Sequence, residues 1–459
     1  MRPVTSPDTT DAAPRRFFVE TLGCPKNAVD SDKITASLLA DGLAPTDAPD
    51  EADLVVVNTC AFIEAARQDS IDVALQLADA RKDGAKLVLT GCMAERYGDE
   101  LAAALPEADA VVGFAGEGAI AEAVGMSAPV MFKSKPTGVR DLLELARPAP
   151  SAPWAYLKVA EGCDRACAFC AIPTFRGKQR SRTAESIEAE ARQLVEGGVS
   201  ELVLVAQDLA WYGRDIDTPG ALAPLLRRLD ALKADGLARI RLMYLYPSEV
   251  KAPLTDTMLE LDTVVPYFDL SLQHASDPLL RRMKRWGSGE KFIDIIGSLR
   301  AAQPDAVFRS SFIVGFPGET EADHEQLLSF LEAAQLDWAG FFEYSEEDGT
   351  TAAGLDDKVA PELMRERLAE CTDLQEPITE ASRMSLLDTE VEVLIDGVDE
   401  DGDAFGRTFR EAPEIDGVVA LTGANARPGA LVRARISDVV GVDLEGEPLG
   451  AVHPGRMGA

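Results

Sequence analysis

Three short apolar segments near the start of the chain each run straight into a cysteine: 17–23 (FFVETLG) into Cys24, 53–59 (DLVVVNT) into Cys60, and 86–91 (KLVLTG) into Cys92. Helix-like runs lie between them. One is Val29 to Leu39 with Asp30 and Ser31 as cap candidates, the next Glu64 to Ala80 with charged residues on its outer face. Another helical run and a fourth strand through 110–113 follow. Strand and helix in alternation predict a parallel sheet. In such a sheet, cysteines 36 and 32 residues apart become neighbours, because each sits at the carboxyl end of its strand, where these folds bind ligands. Buried thiols are common in cores, but that does not account for three at one edge while the helices between them carry none. The pattern predicts three thiolates on three irons of a cubane cluster, with the fourth iron open. Gly23, Pro25, Asn27, Asn58 and Thr59 around these ligands fit donors to cluster sulfur and plain turn residues about equally.

A second trio, Cys163, Cys167 and Cys170, is packed into C-D-R-A-C-A-F-C directly after a strand-like segment, Trp154 to Ala160. The alternatives are a zinc knuckle or scattered core thiols. Structural zinc takes four protein ligands, and no further Cys or His lies within thirty residues on either side. The spacing predicts a second cubane cluster with one open iron. The seventh cysteine, Cys371, falls in a helix-like run and is expected to be an ordinary buried thiol.

Beyond the second trio the strand–helix alternation resumes. Strands are predicted at 201–206, 239–245, 267–272, 307–314 and 338–344, with helices such as Ala184–Glu196 and Glu321–Ala334 between them. With the strand before Cys163 this makes six, a partial (β/α)6 barrel whose site lies at the carboxyl ends. Gln207, Asp208, Gln273, His274, Gly315 and Glu343 fall at those ends, each a candidate for cofactor contact or for turn and cap duty. Gln207 and Gln273 are the two predicted to bind cofactor. No side chain is assigned a catalytic role. His324 is expected on an exposed acidic helix. The segment Arg176–Arg182 (RGKQRSR) either grips an anion or is a solvated charged turn, and Trp211–Arg214 and Arg281–Trp286 are candidate lining for a cleft.

A chain of 459 residues with 46% hydrophobic content calls for two to four globular domains. The expected division is an N-terminal parallel α/β domain over 15–130, a connector over 131–150, the partial barrel over 151–380, and a small all-β barrel over 383–459. The last is read from alternating Val391, Val393, Ile395 and Val432, Ala434, Ile436, punctuated by glycines. No apolar run approaches bilayer length and the first fourteen residues have no apolar core, so a cytoplasmic protein with a loose N-terminal tail is expected. The net charge is -33. From Arg383 onward seven arginines face fifteen acids. Small β-barrels often bind single-stranded nucleic acid, but this one repels phosphate and suits a basic protein.

Taken together, Gly23-Cys24-Pro25-Lys26-Asn27, Val29-Asp30-Ser31, Asn58-Thr59-Cys60, Gly91-Cys92, Glu161 through Pro173, Arg176-Gly177 and Arg180-Ser181-Arg182 resemble the methylthiotransferase branch of the radical S-adenosylmethionine enzymes, and within it the branch directed at a ribosomal protein. The terminal barrel resembles a TRAM domain. The resemblance implies two [4Fe-4S] clusters, one on Cys163, Cys167 and Cys170 that chelates S-adenosylmethionine and yields a 5'-deoxyadenosyl radical, and an auxiliary one on Cys24, Cys60 and Cys92 that carries or delivers sulfur. It implies methylthiolation at the β-carbon of an aspartate in protein twelve of the small ribosomal subunit, a strongly basic partner. A reductant and a sulfur donor are needed. No membrane is implied, nucleic acid is not the direct substrate, and a monomer is expected. The competing readings are a tRNA adenosine methylthiotransferase acting next to the anticodon, which shares both clusters, and a non-catalytic electron carrier, which would complete each cluster with four cysteines.

Overall fold

The computed structural model describes residues 15–123, 131–132, 142–145, 147–400, 402–424 and 426–453. The predicted tail, half of the connector (133–141 and 146), and Asp401 lie outside the described residues. The chain forms two compact units that divide near residue 148, with residues 62–64 counted in the second.

The first unit is built on six strands, β1 (Arg16–Thr21), β2 (Ala44–Pro45), β3 (Leu54–Thr59), β4 (Lys86–Gly91), β5 (Ala110–Val112) and β6 (Met131–Phe132), in the order β2-β1-β3-β4-β5-β6. Every pairing is parallel, as the alternation requires. Leu54 to Val57 in β3 are all buried, the signature of a strand covered on both faces. The helices Pro25–Ala40, Glu64–Ala80 and Cys92–Ala104 supply the crossovers. The first starts four residues earlier than its periodicity indicates, because Pro25 suits the first helical position.

In the second unit, β7 (Trp154–Lys158) is followed by a small hairpin of β8 (Ala160–Glu161) and β9 (Arg180–Ser181). Five further strands complete the six expected: β10 (Glu201–Val205), β11 (Arg239–Leu242), β12 (Tyr267–Gln273), β13 (Val307–Val314) and β14 (Trp338–Glu343). They form two parallel three-stranded sheets, β7-β10-β11 and β12-β13-β14, bridged at Ile240–Val264 and Leu245–Leu270. Strand β11 ends three residues sooner than its composition indicates, where Tyr244 takes φ +62 and its N–H is captured by Asp269. Alternate residues, including Leu157, Leu204, Ile240, Phe268 and Phe312, pack outward into one core with the surrounding helices.

The residues facing the other way near the strand starts are polar: Tyr156, Glu201, Arg239, Arg241, Tyr267 and Arg309. What covers them is the segment 407–416 of the C-terminal barrel. That barrel is closed in the order β15 (Glu390–Val398), β16 (Ala404–Arg407), β17 (Val419–Leu421), β19 (Asp443–His453), β18 (Leu431–Val440). Arg239 and Arg241 donate to the carbonyls of Arg407 and Phe409, both at 2.8 Å. Tyr156 and Tyr267 donate to Glu414 and Asp416 at 2.8 and 2.6 Å, and the Trp338 indole donates to the Arg410 carbonyl. The segment is thus a polar plug in the amino-terminal end of the barrel. Among the described residues, no helix is long and apolar enough to cross a membrane.

Candidate functional site

In the first unit, two asparagines tie the three cysteine-bearing strand ends together. Asn27, fully buried, donates its amide to the carbonyls of Leu22 and Thr59, while its Oδ1 lies 3.6 Å from Cys92 Sγ. Asn58, also buried, donates to the Asn27 carbonyl and to Ser31 Oγ, which in turn accepts from Thr21. Two glycines permit the approach. A Cβ on Gly23 would lie 3.0 Å from Cys60 Sγ, and one on Gly91 would lie 2.2 Å from Asn58 Oδ1; both residues have φ above +80. Cys24 caps the helix Pro25–Ala40 and Cys92 opens the helix Cys92–Ala104, so both stand at the positive end of a helix dipole, which favours anionic ligands. The three cysteines therefore come to one edge, as the spacing predicts. Asn58 Oδ1 has no hydrogen-bond partner there.

In the second unit, the loop of Cys163, Cys167 and Cys170 is clipped at three points. Cys163 N–H donates to the Gly177 carbonyl at 3.1 Å, Ala168 N–H to the Met283 carbonyl at 2.9 Å, and Ala352 N–H to the Ala168 carbonyl at 2.8 Å. Gly162, at φ +78, leaves no room for a side chain, since a Cβ would sit 2.2 Å from the Lys178 carbonyl oxygen. Burial pushes the Cys163 and Cys170 thiols up, to about 11 and about 12, so metal loading there must displace protons. Among the described residues, no three Cys, His, Asp or Glu side chains close on a single point as ligands of one ion do. A cubane sets less stringent terms, because each thiolate binds a different iron.

Around this loop lie several polar groups that the sequence offers as candidates, together with Arg165, Tyr246 and Glu249, which it left unassigned. Arg165 donates to Asp208 at 2.6 Å, and its guanidinium stacks 4.1 Å from the Trp211 ring centre and 3.8 Å from that of Tyr246. Arg214 stacks on Trp211 and pairs with Glu249. Arg285 reaches Cys167 Sγ at 3.3 Å. Gln207 donates to Glu161 at 2.9 Å, but its Oε1 is buried without a partner, as are Asp208 Oδ1 and Arg285 Nε. Orphaned buried polar atoms beside the trio fit a site completed by a polar cofactor. Gln273 sits at the end of β12 with φ +72, half-buried, at a break in the strand register. Gly315, also at a strand end, packs under Met364, and Glu343 closes β14.

One open alternative is decided and one expectation needs correction. Arg176 and Arg182 are not part of a solvated turn. Arg176 pairs with Glu161 at 2.8 Å and Arg182 with Glu190 at 2.8 Å, all but Glu161 being buried. Burial favours a neutral Glu161, yet Arg176 and Lys158 outweigh it and hold the carboxyl well below the usual range. His324, expected on an exposed face, is 1% exposed and shares a 2.6 Å contact with Glu370, because the helix 361–384 covers it. His274 is buried too, its Nδ1 accepting from the Ser276 N–H, and burial pushes its pKa down to about 3. Cys371 is a buried thiol, as expected.

Comparison with known proteins covers nearly the whole chain. Residues 16–113 match an uncharacterized protein family, UPF0004; residues 157–331 match the Radical SAM superfamily; residues 389–449 match the TRAM domain. The ribosomal protein uS12 methylthiotransferase RimO of Salinispora arenicola is 42% identical, over 98% of both chains. That of Geobacter sulfurreducens is 43% identical, over 95% of this chain and 99% of its own. Among solved structures, the radical S-adenosylmethionine methyltransferase TsrM from Kitasatospora setae shares the fold with a TM-score of 0.54 at 14% identity, over 74% of this chain and 77% of its own.

Proposed function

The chain belongs to the family of ribosomal protein uS12 methylthiotransferases, RimO, and we propose that its reaction replaces a hydrogen on the β-carbon of an aspartate in uS12 by a methylthio group. It is a radical S-adenosylmethionine enzyme, with that cofactor and an iron–sulfur cluster. The finer reading is that two [4Fe-4S] clusters are held, one by Cys163, Cys167 and Cys170 and one by Cys24, Cys60 and Cys92. The observation that carries it is the pair of cysteine trios, each at the carboxyl edge of a parallel sheet. When bound, these groups supply reductive cleavage of the sulfonium to an adenosyl radical, and sulfur for transfer.

The chain's own residues orient and shield. Gln207 and Asp208 offer free acceptor atoms beside the second trio, and Gln207 and Gln273 are assigned to the cofactor. Arg165, packed between Trp211 and Tyr246, stiffens the loop and removes water from it. Glu161 gathers Lys158, Arg176 and Gln207 at its carboxylate and so fixes the hairpin that carries Gly162. The functional domains are assigned as 15–130, 151–380 and 383–459 with a connector over 131–150. The net charge of -33 favours a basic protein over tRNA. The protein acts in the cytoplasm as a monomer, with a reductant and a sulfur donor.

The test is iron and product together. Anaerobically reconstituted protein is expected to hold about eight irons per chain and to release 5'-deoxyadenosine on reduction with S-adenosylmethionine. About four irons, unchanged in Cys24→Ala, would contradict two clusters.

A further inference from the structure

Arg285 is nine-tenths buried, and its hydrogen-bond partners are the Ser271 carbonyl and Cys167 Sγ, the latter 3.3 Å from Nη1. Its Nε has no partner. Among the described residues no carboxylate lies within 4 Å of it. Its guanidinium carbon is 4.0 Å from the Tyr246 ring centre and that of Arg165 is 3.8 Å from the same centre. Two guanidinium planes cannot share one face at that distance, so the ring is sandwiched between two cations.

Asp208 feels the charge of Arg285 from farther off but is held by Arg165 at 2.6 Å. A buried cation without a close counter-charge of its own is costly to keep. The cost is met if an anion belongs at the sulfur end. Three thiolates on a cubane leave it anionic, and reduction adds one more negative charge. A cation donating to a ligand sulfur stabilises the reduced form more than the oxidised form. We propose that Arg285 is a positioning residue for the radical-generating cluster: clamped by Tyr246 and the Ser271 carbonyl, it aims its charge at Cys167 and makes the cluster easier to reduce. This rests on the reading that Cys163, Cys167 and Cys170 hold that cluster. The step is a one-electron reduction, with the electron drawn from the external reductant that the activity already requires.

The experiment uses the full chain carrying Cys24→Ala, Cys60→Ala and Cys92→Ala, so that one cluster titrates, with Arg285→Gln or Arg285→Lys added. A mediated redox titration is followed by electron paramagnetic resonance of the reduced cluster, and iron is counted first. With Arg285→Gln the equilibrium constant for reduction is expected to fall about tenfold, or ~59 mV for one electron. With Arg285→Lys, which keeps the charge, it is expected to stay within about twofold of the parent. An Arg285→Gln protein that titrates with the parent overturns the proposal. If Arg285→Gln takes up no iron, Arg285→Lys decides: iron retained at the parent potential supports the role of the charge, and a tenfold fall overturns it. A parent that binds no iron contradicts the cluster reading itself, a different failure.

Discussion

Arg407 of the C-terminal barrel donates to Glu201 at the start of β10 at 2.9 Å, and both side chains are buried. Glu201 also accepts from Arg241 at 2.7 Å, while Arg407 holds Asp396. One glutamate thus neutralises charge drawn from two domains. Burial alone would raise its pKa, but Arg241 and Arg407 hold it down at about 2.

Removing that glutamate leaves buried arginines uncompensated. Glu201→Gln is expected to destabilise the second unit by about 3–5 kcal/mol, the usual effect of breaking a buried pair from one side. Urea unfolding at neutral pH measures it. A loss below about 1 kcal/mol would place the network in water.

Asp416 titrates in the opposite sense. Burial, against Arg309 and the Tyr267 hydrogen bond, pushes it up to about 6 from an ordinary 3.8. A raised carboxyl contributes fully below the unfolded pKa and loses that contribution as pH rises through the folded one. Asp416→Asn should therefore gain on wild type as pH rises from about 4 to about 6, by at most about 3 kcal/mol. Unfolding free energies at pH 4, 5, 6 and 7 for both proteins give the difference; a flat one contradicts the shift.

Gly91 is the narrowest point of the first cysteine edge. Gly91→Ala forces a Cβ toward Asn58 and strains a φ of +86, costing about 1–3 kcal/mol. Iron bound after reconstitution should fall by about half, with the second trio still loaded. Full iron content would show that the first trio loads without the room that Gly91 leaves, and would contradict this account of the edge.

The cysteine edges were legible because a thiol at a strand end is a local mark and parallel pairing makes it three-dimensional. Helices Ala184–Glu196 and Glu321–Ala334 match their predicted bounds for the same reason: cap and periodicity are local, as the Thr320–Asp323 capping box shows. Tyr246 and Arg165 escaped, and Arg285 was placed only within a candidate cleft lining, because their meaning lies in contacts across 118 residues or across strands, as between Arg285 and Cys167. His324 was misplaced because the helix that buries it lies 46 residues away, at Glu370. The charges of 407–416 entered only the overall count of acids and arginines in the terminal barrel, whereas Arg407, Glu411 and Asp416 are turned inward to plug a barrel whose inner face is itself charged.

The two trios should separate by product. Cys163→Ala is expected to lower 5'-deoxyadenosine formation about 100-fold or more, beyond what loss of an outer partner costs. Cys24→Ala should still cleave the cofactor but transfer no sulfur. Chromatography of the nucleoside and mass spectrometry of the substrate read the two steps apart. Equal loss of cleavage in both variants would contradict the division of labour.

The most direct test offers anaerobically reconstituted protein S-adenosylmethionine, a reductant and a sulfur source, with small ribosomal subunits and bulk tRNA in parallel. Mass spectrometry then locates any methylthio group. An aspartate of uS12 modified while tRNA is untouched is the predicted result; methylthiolated tRNA with unmodified uS12 would contradict it.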